Sequence, residues 1–546
     1  MCWLDRECIV GRSDTIRGTR VFRVVAGRPA RRSHRVRVCR KGETAYPNCV
    51  YGTLYRMKLL IRLLPLVLAC GSAAQEFHPN IPKAWDDKEV EGFEVPLAQR
   101  DRSPRYMSSA EYYKLQVHQI YRSYPAYAKG MKPPGYIDWL KQQEPHIVFD
   151  PSKLRTKEDW VAAGKIVFEA EIRFFPAREQ PAPGEVPFPG VDKNGVLPFY
   201  RPGFRYIIRK KGVLEGGINA CVGCHIRPLP DGTWIEGAQG IVDEPPTAAQ
   251  IQRLRDSTPD AYQRRLDSWW SLFGAPWVMS RQQFEAYYTK DRAIPEVTAY
   301  HESVFRRQGT SMSHPPHIPS LIGVQDRKYL DATGLVRNGS IGDLMRYAIT
   351  NQGLDTLAYY GDFQPSPGRT PFSGEEGTRY SDEQLYALAL YISSLKPPPN
   401  PNPADDRARR GERIFRQQGC VGCHTPPLYT NNKLTLARGF QPPADLLKTD
   451  DILQISVGTD PTLALQTRRG TGFYKVPSLR GVWYRTAFGH TGQAQTLEEW
   501  LDPARLKSGY VPKGFRLGPG PIEGHEFGLG LAPEDREALI AFLKTL

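Results

Sequence analysis

Two short runs in this chain of 546 residues set nucleophilic and metal-ligating side chains at a fixed spacing. They are Cys221-Val222-Gly223-Cys224-His225 and Cys420-Val421-Gly422-Cys423-His424. In a C-x-x-C-H run the two thiols can add across the vinyl groups of one porphyrin, while the histidine turns back to the iron. Two copies imply two covalently attached c-type haems. Cys221, Cys224, Cys420 and Cys423 are then the attachment points, and His225 and His424 the proximal iron ligands. A redox dithiol or half of a zinc site shares the spacing, but zinc needs two further ligands per site. No other cysteine beyond residue 74 could supply them.

The formal charge of +15 would suit nucleic acid or an acidic membrane surface. Its distribution argues otherwise. Residues 1–74 hold 15 Lys/Arg and 4 Asp/Glu, leaving 58 basic and 54 acidic residues and a net charge of +4 from residue 75 onward. Nucleic-acid binding is therefore not expected. Met57-Lys58 begins a short positive region, Leu59 to Ala69 is apolar, and Ser72-Ala73-Ala74 offers small residues before Gln75. That is the pattern of a secretory signal peptide, and Arg62 and Pro65 interrupt a run already too short to span a membrane. The same stretch also reads as a lipoprotein signal, with Val67-Leu68-Ala69-Cys70 as the lipobox and Cys70 as the lipid anchor. Residues 1–56 are Arg-rich, with four scattered cysteines and no apolar periodicity; they read as an over-extended start or a disordered arm. The mature chain then spends every cysteine on haem, which fits a periplasmic or secreted protein.

Elements that must position these runs recur at domain scale. Trp160, Gly164 and Phe168 mark a helix face ahead of the first run, and Ala408, Gly411 and Phe415 mark one ahead of the second. Downstream, Pro319-Ser320-Leu321-Ile322-Gly323-Val324 answers to Pro477-Ser478-Leu479-Arg480-Gly481-Val482. Thr333-Gly334 and Thr491-Gly492 follow, and then Ser340 and Thr496 at helix-capping positions. A third echo pairs the apolar helix Ala387–Leu395 with Ala538–Leu546, the first opened by Ser381 and Gln384 at capping-box spacing.

The expected fold is mainly α, with two tandem cytochrome c-like helical domains joined by a Pro-rich linker. The first domain spans 156–396 and the second 405–546, with residues 397–404 (Pro397-Pro398-Pro399-Asn400-Pro401-Asn402-Pro403-Ala404) between them. Residues 1–56 form the arm, 57–74 the signal peptide and 75–155 an irregular N-terminal extension wrapping the first domain. Within the extension a helix is predicted from Ser109 to Tyr121. The first domain carries a short β insertion, with a proline cluster from Pro181 to Pro189 and a strand-like run from Phe204 to Ile208. Ser268-Trp269-Trp270 is expected to pack in a core.

Together these features resemble the bacterial di-haem cytochrome c peroxidase superfamily, which includes a methylamine-dehydrogenase maturation enzyme and the di-haem rubber oxygenases. The resemblance covers roughly residues 155–546. It rests on both C-x-x-C-H runs, the helix before each, and Lys475-Val476-Pro477-Ser478-Leu479-Arg480 through Phe488-Gly489-His490-Thr491-Gly492. The end, Gly524-His525-Glu526-Phe527-Gly528-Leu529-Gly530-Leu531, is similar to the rubber-oxygenase-like branch. His490-Thr491-Gly492 departs from the His-Asp-Gly usual in the peroxidases.

The resemblance implies a distal ligand for the second haem just before the last helix, where His525 stands 13 residues ahead of Ala538. His490 becomes a hydrogen-bonding group between the haems. The corresponding slot in the first domain is Gly374, which cannot ligate, so the first iron is expected to keep an open face. His301, His314 or His317 could still reach that face. Arg346 and Tyr347 become pocket residues of the first haem by family position, or members of an ordinary amphipathic helix. A redox enzyme follows, with haem 1 activating peroxide or dioxygen and haem 2 transferring electrons. The alternative is a non-catalytic di-haem electron carrier. A small electron-transfer protein is the expected partner, and peroxide, dioxygen or an apolar organic molecule the substrate. Calcium occurs in the family, although no carboxylate cluster in this sequence demands it.

Overall fold

Most of the fold follows from helix starts that the sequence spells out. The structure, a computed structural model, describes residues 76–546 apart from 128–131, 178–204, 219–220, 230–232, 241–247, 300–308, 366–377 and 450. The signal segment, Cys70, the 181–189 proline cluster, His301 and Gly374 lie outside the described residues. Residues 76–546 belong to one compact unit. The longest helices are α1 (Lys157–Glu169), α2 (Pro259–Phe273), α3 (Ile341–Leu357), α4 (Asp382–Ser394), α5 (Asp406–Gln417) and α6 (Pro533–Lys544). Thr156 with Asp159 and Ser381 with Gln384 form reciprocal capping boxes at the starts of α1 and α4. Asp405 caps α5, and α6 begins with Pro533, whose missing N–H is no loss in a first turn.

Two helix crossings repeat each other. α1 buries Trp160, Ala163, Gly164, Val167 and Phe168 against α4. α5 buries Ala408, Gly411, Ile414 and Phe415 against α6. At both crossings the backbones meet at a glycine. A Cβ added to Gly164 would lie 1.9 Å from the Ala387 carbonyl oxygen, and one added to Gly411 would lie 1.9 Å from that of Ala538. An aromatic pair one turn on has the same spacing in both, 5.3 Å for Phe168 with Tyr391 and 5.3 Å for Phe415 with Phe542.

The N-terminal extension packs into the core of α1, α3 and α4, with Ala84, Trp85, Phe93 and Tyr112 buried there. Asp382, in the first turn of α4, accepts the Ala84 N–H and the Tyr113 hydroxyl. The predicted helix from Ser109 stops at Tyr112 and does not reach Tyr121. Gln116–Val117 instead pairs in parallel with Thr378–Arg379, and the His118 carbonyl accepts from the Gln384 side chain. Fixed long-range partners outweigh the weak propensity of a short helix.

The β insertion is present as a four-stranded sheet of β1 (Ser123–Tyr124), β2 (Arg173–Pro176), β3 (Arg205–Lys210) and β4 (Val213–Ile218), ordered β1-β3-β4-β2. All its pairings are antiparallel. Trp269 of α2 is buried with Leu266, Phe273, Phe284 and Tyr288, in keeping with a packing role. After α4 the Pro-rich segment has no regular structure, and Asn400 ties it down by donating to the Lys544 carbonyl. Among the described residues no helix is long and apolar enough to cross a membrane.

Candidate functional site

Each C-x-x-C-H run closes into one tight turn. The His225 N–H donates to the Cys221 carbonyl at 3.1 Å, and the His424 N–H to that of Cys420 at 2.8 Å. None of these four cysteines is in a disulfide, and each is partly exposed. Beyond the turn the two histidines are anchored in the same way. His225 Nδ1 lies 3.1 Å from the Pro319 carbonyl oxygen, and His424 Nδ1 lies 3.1 Å from that of Pro477. A carbonyl can only accept, so Nδ1 carries the proton and Nε2 keeps its lone pair. A metal-binding histidine is held in this way by its surroundings.

Pro319 and Pro477 are the first residues of the paired P-S-L-x-G-V echoes, whose local geometry also repeats. Gly323 and Gly481 both take φ +72°, a region that favours glycine, and each opens a single 3-10 turn. Arg327 donates to the Ile322 carbonyl at 2.8 Å, and Arg485 donates to the equivalent Arg480 carbonyl at 2.7 Å. The echo is therefore a built loop that presents a carbonyl to the imidazole of the C-x-x-C-H run. The sequence displayed the repeat but gave no sign of this role.

At the second run the structure brings His525 to His424. Their ring centres are 6.3 Å apart, at an interplanar angle of 61°. Two imidazoles able to ligate an iron are thus brought together at the second run. His525 Nδ1 is buried with no hydrogen-bond partner. The loop holding it is firmly placed. His525 has φ +48°, its N–H donates to the Val457 carbonyl at 2.6 Å, and Trp500 and Phe527 flank its ring. Buried Arg505 donates to the carbonyls of Ile522, Gly524 and His525, the last two at 2.8 and 2.9 Å. Burial, and then the neighbouring His424, pull the His525 pKa down to about 4, and burial also lowers that of His424. Both rings are neutral at pH 7, the state that ligates a metal.

His490 stacks on Tyr474 at 3.6 Å and 8°, with Nε2 3.0 Å from Thr459 Oγ1. Burial holds its pKa down at about 3; His317 and His525 add to the shift, and Asp460 opposes it. His317 Nδ1 lies 3.4 Å from the His490 carbonyl, and His314 pairs with Asp460 at 3.7 Å. His314 and His317 thus engage residues of the second half. Arg346 is buried and bound to Asp343 at 2.5 Å and Glu89 at 3.1 Å, tying α3 to the N-terminal extension. The Tyr347 hydroxyl donates to Asp331 at 2.7 Å. Those contacts describe structural ties, and none of them includes His225. Among the described residues no group of three His, Cys, Asp or Glu side chains is arranged to hold a further metal ion. Arg505 had no distinguishing mark in the sequence, because its partners are backbone carbonyls.

No protein-family model and no curated protein matches the chain. Among solved structures, hydrazine synthase of Kuenenia stuttgartiensis is similar over 56% of this chain and 94% of its own, at 16% identity and a TM-score of 0.26. The diheme peroxidase BthA of Burkholderia thailandensis is similar over 44% of this chain and 74% of its own, at 20% identity and a TM-score of 0.22. At those TM-scores neither likeness transfers a fold or an activity, and the chemistry of the chain rests on its own residues.

Proposed function

We propose that this chain is an exported di-haem c-type cytochrome acting as a redox enzyme. Its first C-x-x-C-H site would bind peroxide or dioxygen, and its second would pass electrons. The observation that supports this most directly is the His424–His525 pair, two neutral imidazoles with centres 6.3 Å apart. Cys420 and Cys423 would fix the second haem, with His424 and His525 on its two faces; Cys221, Cys224 and His225 would hold the first. When bound, such a group supplies one-electron chemistry, while ligation and surroundings set what each centre does.

The chain's own residues do the rest. The Pro319 and Pro477 carbonyls set the tautomer of the proximal rings. Arg505 fixes the backbone that aims His525. For the first site the residue answering to His525 is Gly374, which offers no ligand. The two halves are read as tandem cytochrome c-like domains meeting at residues 397–404. A small exported electron-transfer protein is the proposed partner, and peroxide, dioxygen or an apolar organic molecule the proposed substrate.

Spectroscopy of the purified, haem-loaded chain tests this. The expected ferric spectrum shows one low-spin and one high-spin haem, with cyanide shifting only the high-spin component and CO, after reduction, binding only that same haem. His525→Ala should turn the second centre high-spin as well. An all-low-spin protein that binds no added ligand would overturn the open first site and favour a plain electron carrier.

A further inference from the structure

The N-terminal extension delivers one histidine into the core of the first half. His118 is 7% exposed, and its Nε2 is buried without a hydrogen-bond partner. Glu171, just after α1, is 5% exposed, and its Oε1 is likewise buried without one. A buried polar atom left unmatched is costly, so two of them in one region of the core are notable. The groups share one pocket. The His118 ring hydrogen-bonds to the Glu171 backbone, stacks on Phe174 at 5.9 Å and meets Tyr380 edge-on at 5.6 Å. Tyr380 in turn lies within electrostatic reach of both Glu171 and Cys221, the first haem-attachment cysteine, and packs in the same core cluster as Cys221.

The pocket is built to hold these groups still. Gln384 of α4 grips the His118 carbonyl at 2.9 Å. Gly217 of β4 lies against Glu171, where an added Cβ would come within 2.7 Å of the Glu171 Cβ. Charged neighbours are few. Arg209 faces His118 but is paired bidentately with Glu215, and Arg205 and Glu169 face Glu171. Burial raises the Glu171 carboxyl to about 7 and lowers the His118 imidazole. Near neutral pH the pocket therefore holds a carboxylic acid able to give a proton beside an imidazole able to take one.

We propose that His118 and Glu171 are the proton-transfer pair of the first C-x-x-C-H centre, serving small weakly acidic ligands that arrive neutral and bind as anions. This rests on the reading of the first site as open. The step is a plain proton transfer. The bond from the ligand to its hydrogen breaks, a new bond forms to His118 Nε2 or the Glu171 carboxylate, and no electron changes hands.

Hydrogen cyanide is a suitable probe, because it must lose its proton to bind as cyanide. Cyanide association would be followed by stopped-flow absorbance from pH 5 to 9 on the haem-loaded full chain and on His118→Gln and Glu171→Gln. Each variant is expected to slow association by about tenfold or more, within the range of acid–base assistance, and to flatten its pH profile. The resting ferric spectrum should stay the same, which also shows that both variants fold. Unchanged rates in both variants would overturn the pair while leaving the open site intact. A resting spectrum that turns from low-spin to high-spin in His118→Gln would make His118 an iron ligand and overturn it too. Wild-type protein that binds no cyanide would overturn the open site, and this pair with it.

Discussion

The two halves of this molecule share a scaffold and differ in what the scaffold holds. At the α1–α4 and α5–α6 crossings a Cβ added to the glycine would lie the same 1.9 Å from a backbone carbonyl oxygen, and the histidine of each C-x-x-C-H run has Nδ1 3.1 Å from a proline carbonyl. The second half then places His525 near His424, whereas the first half is joined by the N-terminal extension, which brings in buried His118. The first half also carries a four-stranded sheet and α2, with no counterpart among the described elements of the second. Substituting the crossing glycines is the strongest way to break the comparison. Gly164→Ala and Gly411→Ala each force a methyl into a backbone carbonyl and should cost about 3 kcal/mol, the upper range for overpacking. Urea unfolding would measure it. A loss in one variant only would show that the two crossings are not equivalent.

Opposite responses to pH should separate the halves next. Burial raises Glu171 to about 7, above its unfolded value, so in the folded state it holds its proton more tightly. The stability this gives is full below the ordinary carboxylate range and is lost as pH rises through about 7. The loss is at most about 3 kcal/mol, at 1.36 kcal/mol per unit. In the second half His490 is depressed by burial to about 3. Its contribution is full above about 6.5, the unfolded value, and is lost as pH falls toward 3. Hydrogen exchange should therefore quicken around β2 and β4 on the alkaline side, and around residues 457–474 on the acid side. Both regions loosening at the same end of the pH range would contradict the assignment.

Much of this architecture was legible in the residues, because the repeat is written in types that only one geometry tolerates. Gly164 could be matched to Gly411 and Ala387 to Ala538 as echoes, and the structure packs Gly164 on Ala387 and Gly411 on Ala538. The capping residues Ser340, Ser381 and Thr496 also stand where their helices begin. His525 could be placed only through a resemblance, and the structure sets its ring centre 6.3 Å from that of His424. What stayed hidden were roles set by backbone partners or by distant chain. The Pro319 and Pro477 carbonyls leave no mark in a side-chain pattern, and Arg505 binds four carbonyls that any residues could supply. His118 sits in a stretch expected to follow a helix. Parallel pairing of Gln116–Val117 with residues more than 250 positions away turned it inward instead.

The smallest test concerns the helix starts after each echo. Ser340 accepts the Asp343 N–H and Thr496 accepts the Glu499 N–H, at matching positions of the two halves. Removing either hydroxyl with Ser340→Ala or Thr496→Ala should cost about 1 kcal/mol, the usual value of an N-cap. The acids three residues on are less alike. Asp343 accepts the Gly339 N–H and pairs with Arg346. Glu499 accepts the Gln495 and Lys513 N–H groups and the Tyr510 hydroxyl, holding a loop that precedes the His525 segment. Thr496→Ala loosens that anchor as well as the helix start, so it should broaden the spectrum of the second centre slightly. Ser340→Ala should leave the spectrum of both centres alone. Equal free-energy losses with unequal spectral effects would show the shared scaffold and the diverged site within one pair of hydroxyl deletions.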